Sequence, residues 1–68
     1  MKELPVSSRI IRSVYFSQED GQLRICFRNG EESLFSDVPK DAAFEMVNSA
    51  SPGQYYINRI RQKFPRVA

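Results

Sequence analysis

The chain has 68 residues, of which 41% are hydrophobic and 26% are charged, a composition typical of globular proteins. It can build only one core, because a domain of this size buries only about 60% of the surface that its unfolded chain exposes. The chain contains one cysteine, Cys26, and no histidine. These counts exclude an intrachain disulfide, a zinc site of several cysteines and histidines, and a nucleophile activated by a histidine base.

Positive charge is concentrated near the C-terminal end. Residues 1–50 carry six basic and eight acidic side chains, a net charge of −2, whereas residues 51–68 carry four basic side chains and no acidic one. An asymmetry of this kind points to a polyanionic partner.

Three segments have the residue pattern of β-strands. β-Branched and aromatic residues dominate from Ile10 to Phe16, and Leu23, Ile25 and Phe27 alternate with more polar neighbours. We predict antiparallel strands at roughly residues 9–17, 22–28 and 31–36, with a glycine, Gly21, in the first turn.

Asn29-Gly30 is typical of a two-residue hairpin, because a type I′ turn needs a positive φ at both central positions. That turn places Leu34 on the inner face of the sheet beside Ile25. Apolar surface from Phe35 then lies on the other face, where a second copy of the chain could cover it. The predicted residues of this possible dimer interface are Arg24, Cys26, Ser33 and Phe35.

Two amphipathic helices are predicted next, at roughly residues 39–49 and 52–64. Asp37 is a candidate cap for the first, while Ser51 and Gln54 have the spacing of a capping box for the second. Pro52 suits a first helical position, where a missing N–H costs nothing. The predicted core-facing residues are Ala43, Met46, Val47 and Ala50, then Tyr56, Ile57, Ile60 and Phe64. The sequence therefore predicts an α+β fold, a three-stranded antiparallel β-meander followed by two helices.

The second helix is basic on its polar side, which suggests contacts with nucleic acid. Basic side chains neutralise phosphates, and an exposed tyrosine such as Tyr55 can stack on a base. A solvated helix face, with basic residues placed late to complement the helix dipole, is the alternative. The candidate RNA-binding residues are Tyr55, Asn58, Arg59, Arg61, Gln62, Lys63 and Arg66.

No catalytic site is predicted. Arg24 and Arg28 lie on either side of Cys26, but no base or second cysteine accompanies its thiol, and a strand cysteine that packs as a small hydrophobe is the simpler interpretation. The carboxylates Asp37 and Asp41 are explained by a helix start. We therefore expect a protein that is not an enzyme and that has no cofactor or metal.

Short motifs follow one another from Val6 to Pro65. They are Val6-Ser7-Ser8-Arg9-Ile10-Ile11, Leu23-x-Ile25-x-Phe27-x-x-Gly30, Val38-Pro39, Ala50-Ser51-x-Gly53-x-Tyr55-Tyr56 and Ile60-Arg61-x-Lys63-Phe64-Pro65. In this order and spacing the chain resembles the KTSC domain, found at the C-terminus of some lysyl-tRNA synthetases and as small free-standing bacterial proteins. The resemblance implies RNA of a tRNA-like kind as a partner.

The chain departs from this family at two places. The central Tyr-x-Tyr pair of the family falls on Ser33 and Phe35, so both phenol hydroxyls are missing there, and Ile57 stands where the family usually has asparagine. The resemblance therefore implies no role for phenol hydroxyls at positions 33 and 35 of this chain.

One domain is expected over residues 6–65, with flexible ends at 1–5 and 66–68. The first residues lead into no long apolar run, so neither a signal peptide nor a membrane span is expected. We expect a cytoplasmic protein whose partner is RNA or a second copy of itself rather than a membrane or a small molecule.

Overall fold

A computed structural model describes residues 1–67. It contains one antiparallel sheet whose strands lie in chain order: β1 (Lys2–Leu4), β2 (Ile11–Ser17), β3 (Gln22–Phe27) and β4 (Glu32–Phe35). The helix α1 (Lys40–Asn48) follows, and then a second helix that is α-helical over Pro52–Tyr55 (α2) and π-helical over Tyr56–Ile60 (π1). The predicted α+β fold with two helices after an antiparallel sheet is confirmed, and the structure adds a fourth strand.

Both ends of the described chain pair with the sheet. β1 is antiparallel to β2, with Leu4 opposite Val14, and Leu4 is its one buried residue. At the other edge, the backbone N–H of Val67 donates to the carbonyl oxygen of Leu34 at 2.6 Å. These segments belong to residues 1–5 and 66–68, for which we predicted flexible ends; Ala68 lies outside the described residues.

The turn between β3 and β4 has three residues, not two. Gly30 has a φ of +93°, but Asn29 does not have the positive φ that a type I′ turn requires. The N–H of Phe27 donates to the Glu31 carbonyl oxygen at 2.8 Å, which closes the loop around Arg28, Asn29 and Gly30. The side chain of Asn29 stabilises this form by accepting the N–H of Glu31 at 3.0 Å.

The predicted register of β4 was therefore wrong by one residue. Leu23 lies opposite Phe35, and Ile25 lies opposite Ser33. A slip of one residue exchanges the two faces of a strand, so Phe35 points into the core and is fully buried, whereas Leu34 is half-buried on the outer face.

The two helices pack against the inner face of the sheet. The core comprises Leu4, Ile11, Val14, Phe16, Leu23, Ile25, Phe35, Val38, Ala43, Met46, Val47, Tyr56 and Ile60. Most of the predicted helix contacts are present, with Ile57 and Phe64 packed at the margin of the core. Ala50 is the exception, because α1 ends at Asn48 and leaves it exposed.

Neither predicted helix cap forms a side-chain hydrogen bond. α1 is capped by Pro39, and Ser51, which precedes α2, makes no side-chain bond to the helix. Asp37 instead has a φ of +57°. This left-handed residue lets the N–H of Val38 reach the Gly21 carbonyl oxygen at 2.9 Å, which ties the start of α1 to the first hairpin turn. Pro52 begins α2 as predicted.

The register of β4 predicts unequal costs for substitutions at two adjacent positions. We expect Phe35→Ala to destabilise the protein by about 3–5 kcal/mol, because it empties a fully buried site. Leu34→Ala, at a half-buried site, should cost about 1 kcal/mol or less. Urea unfolding followed by circular dichroism measures both. A larger cost at Leu34 would favour the two-residue turn.

The backbone of Asp37 yields a second stability prediction. A left-handed backbone favours glycine, so Asp37→Gly should stabilise the protein by up to about 1 kcal/mol, and Asp37→Val should destabilise it by about the same amount or more. Asp37→Asn serves as the control because asparagine tolerates this backbone. If Asp37 were a helix cap, glycine would instead lower the unfolding free energy.

Candidate functional site

A cleft of about 540 Å³ opens where the start of β2, the end of β3 and the second helix meet. Four of its lining residues are arginines: Arg9, Arg28, Arg61 and Arg66. Only one acidic residue, Glu31, lines it with them. We call this feature the arginine cleft.

Backbone pairing brings Arg9 and Arg28 to one place. Because β2 and β3 are antiparallel, the residues before β2 lie beside those after β3, and the N–H of Arg28 donates to the Ile10 carbonyl oxygen at 2.9 Å. The guanidinium Nε of Arg28 also donates to the Ser8 carbonyl oxygen at 3.1 Å. The Ser8 hydroxyl in turn accepts the N–H groups of Ile10 and Ile11, each at 3.2 Å. This network holds the segment before β2 in a fixed shape.

The π-helical segment brings Arg61 to the cleft. The N–H of Arg61 donates to the Tyr56 carbonyl oxygen at 2.8 Å, a bond that spans five residues instead of the four of an α-helix. In such a turn the residue five positions on lies above the first one. Tyr56, Ile57 and Arg61 therefore line the same cleft.

Arg66 reaches the cleft from the C-terminal segment. This segment lies along the free edge of β4, with a bridge between Arg66 and Phe35. The N–H of Ser36 donates to the Pro65 carbonyl oxygen at 3.0 Å on one side of that bridge, and Val67 donates to Leu34 on the other. The edge of the sheet thus fixes the backbone that carries Arg66.

Aromatic rings form the floor of the cleft. Tyr56 lies between two phenylalanines, with its ring centroid 5.2 Å from that of Phe27 and 5.9 Å from that of Phe35, both edge to face. Of these rings, Phe27 is only half-buried, and it lines the cleft with Tyr56. Ser33 lines it too, and among the described residues it is the one polar side chain that is buried.

The structure divides the candidate RNA-binding residues among three places. Arg61 and Arg66 line the arginine cleft. Tyr55, Asn58 and Arg59 line a separate hollow of about 280 Å³ beside the end of α1. The remaining two, Gln62 and Lys63, are exposed in the turn after the second helix.

Tyr55 joins the two helices. Its hydroxyl donates to Oε2 of Glu45 in α1 at 2.7 Å. This hydrogen bond to a carboxylate, aided by partial desolvation, raises the pKa of Tyr55 above its ordinary value. The hydroxyl therefore has a structural role on the side of the helix away from the arginine cleft.

The residues of the predicted interface lie on opposite faces of the sheet. Ser33 and Phe35 share the inner face with Ile25, whereas Arg24 and Cys26 lie on the outer face. Cys26 is buried there between its strand neighbours, opposite Ser13 and Glu32. The four side chains do not form one surface.

Sequence reasoning missed Arg9 and Arg28 as site residues, although a signal for them existed. Arg9 is the first residue of the first predicted strand and Arg28 is the last residue of the second, and those strands were predicted to be antiparallel. Counting residues across that pairing places the two arginines side by side. The charge asymmetry along the chain drew attention only to its last quarter.

Neither a cluster of metal-ligating side chains nor a membrane-spanning helix is found among the described residues. They contain no group of three or more histidine, cysteine, aspartate and glutamate side chains placed to hold a metal ion. No helix within residues 1–67 is long and apolar enough to span a bilayer.

The Tyr55–Glu45 hydrogen bond predicts a change in a titration. Because the folded state holds the phenol proton more tightly than the unfolded state, this stabilisation is present below pH 10 and is lost as the pH rises through the raised pKa. Glu45→Gln should lower the pKa of Tyr55 toward its ordinary value, measured by NMR on ring-labelled tyrosine. Glu3→Gln removes the same charge elsewhere and should leave the titration unchanged. A pKa of Tyr55 that does not respond to Glu45→Gln would contradict the contact.

Comparison with known proteins identifies the family. The family model of the KTSC domain matches residues 7–64. The crystal structure of a KTSC domain protein from Yersinia pestis superposes with a TM-score of 0.87 at 27% sequence identity, over 97% of this chain and 93% of that chain. No curated protein matches the chain in sequence. With the matched region covering most of its length, the chain belongs to the KTSC domain family.

Proposed function

We propose that this protein is a non-enzymatic module that binds RNA through the arginine cleft. The observation that carries the proposal is the convergence of Arg9, Arg28, Arg61 and Arg66 on one concave site with a partly exposed aromatic floor. Arginine side chains pair with phosphates through the guanidinium group, which is planar, always charged and carries several N–H donors. Aromatic rings in the same site suit the other component of a nucleic acid, its bases.

We place the proposed site in the cleft and not on the outer side of the second helix. Two of the arginines come from the first half of the chain, whose net charge is negative, so the positive character of the cleft arises from folding. Arg59 and Lys63 lie outside the cleft. A binding site on the outer helix face would depend on those two residues, whereas the cleft would not.

A comparison of two double variants tests this proposal. Arg9→Gln with Arg61→Gln removes two charges from the cleft, and Arg59→Gln with Lys63→Gln removes two charges from the outer helix face. All four residues are exposed, so neither pair should disturb the core. We expect the cleft pair to weaken binding to a short RNA at least about tenfold at 50 mM salt, because phosphate contacts dominate affinity there. Fluorescence anisotropy measures the affinity.

The salt dependence is the second readout. Affinity should fall as salt rises, and the slope of log K against log salt should become shallower for the cleft pair by about two phosphate contacts. Equal losses from both double variants would place the binding site elsewhere. Absence of RNA binding by the wild-type protein at 50 mM salt would refute the function. Equally tight binding of heparin would indicate a general polyanion site.

A further inference from the structure

We propose that the arginine cleft holds one unpaired nucleotide of an RNA strand, with its base against the aromatic floor and its phosphate on the arginines. The protein should therefore select single-stranded RNA over duplex RNA. This inference rests on the proposed function and adds the class of RNA.

The floor of the cleft is suited to a flat apolar group. Phe27 and Ile57 are half-buried and line the cleft, so part of each side chain stays accessible there. Ile10 lines it as well and is 47% exposed, one of three large hydrophobic residues exposed among those described. A site for a bare polyanion needs only the arginines. Apolar side chains among them indicate a ligand with an apolar and an anionic part, as a nucleotide has.

The size and shape of the cleft favour an unpaired base. A volume of about 540 Å³ lies within the range of roughly 300–1,000 Å³ that is typical of small-ligand pockets. In an A-form duplex the bases are stacked inside and the major groove is deep and narrow, so side chains cannot reach them. A duplex could contact the arginines with its phosphates but could not place a base on Phe27. An unpaired base can leave its stack and enter.

A second groove provides a path for the rest of the strand. It has a volume of about 610 Å³ and shares Arg9, Ile10 and Arg28 with the arginine cleft. Ser7 and Ser51, two exposed residues that carry hydroxyl groups, also line it. The neighbouring nucleotide can thus pass over the two shared arginines and bind by hydrogen bonds to its sugar and phosphate.

Gly53 contributes to this shape. A Cβ atom at this position would collide with the side chain of Ile10, so the absence of one lets Ile10 lie against the start of α2. Ile10 then stands between the two grooves as an apolar contact for a base that enters from either side.

Three ligands of equal length test the inference in one anisotropy assay. They are a 12-nucleotide single strand without secondary structure, the same strand paired with its complement, and an abasic strand that keeps the phosphates but lacks the bases. We expect the first to bind at least about fivefold more tightly than either of the others, since stacking of one base contributes a factor of this size or more.

A variant of the floor separates stacking from charge. Phe27→Leu keeps an apolar side chain but removes the aromatic face, so it should weaken binding of the single strand about fivefold and leave the abasic strand unaffected. A parallel urea titration shows whether the variant is folded. The wild-type protein gives an independent readout by NMR, in which a stacked base should shift the methyl signals of Ile10 and Ile57 upfield. The methyl signals of the fully buried Ile25 serve as the internal control.

The outcomes distinguish the inference from the proposed function. If the duplex or the abasic strand binds as tightly as the single strand, with unshifted Ile10 and Ile57 methyl signals, the cleft binds phosphate alone. The inference is then overturned while RNA binding stands. If no RNA binds at 50 mM salt, both fail.

Discussion

The three-residue turn at Arg28–Gly30 determines which side of β4 faces the helices. With this register Phe35 is in the core, where it packs edge to face against Tyr56 of the second helix. Ser33, two residues earlier on the same face, then becomes a polar residue in the wall of the arginine cleft. A two-residue turn would exchange Phe35 and Leu34 and remove the contact between Phe35 and Tyr56. The cleft and the core therefore both depend on the three-residue turn.

Tyr56 connects the core to the site. Its ring contacts Phe35 on one side and Phe27 on the other, and the carbonyl group of the same residue accepts the π-helical bond from Arg61. The cleft is therefore built on a nearly buried residue, whereas its arginines lie at the surface. Because this floor is already fixed, only the exposed arginine side chains lose conformational entropy when a ligand binds.

Residue patterns predicted much of the fold because they report local periodicity. The alternation of Leu23, Ile25 and Phe27 predicted β3, and Pro52 predicted the start of the second helix. β1 was not predicted because its three residues contain only one buried side chain, too few to show a period. The register of β4 was predicted wrongly because Asn29-Gly30 is compatible with both a two-residue and a three-residue turn. The two turns differ in the φ of Asn29, and the hydrogen bond from the N–H of Glu31 to the Asn29 side chain influences that angle. The arginine cleft could not be predicted from local periodicity, because its four arginines come from distant parts of the chain and only the fold brings them together.

The π-helical segment has a consequence for the length of this helix. A π turn accommodates one residue more than the α-helix around it. In a regular α-helix one added residue would rotate everything after it by about 100°, whereas the wider turn between Tyr56 and Arg61 takes up that residue within a single turn. The turn after the helix and the segment that carries Arg66 therefore begin in nearly the direction that a regular α-helix with one residue fewer would give them. The π turn thus adds one residue to the helix while it keeps the phase between the buried half of the helix and the part of the chain that closes the cleft.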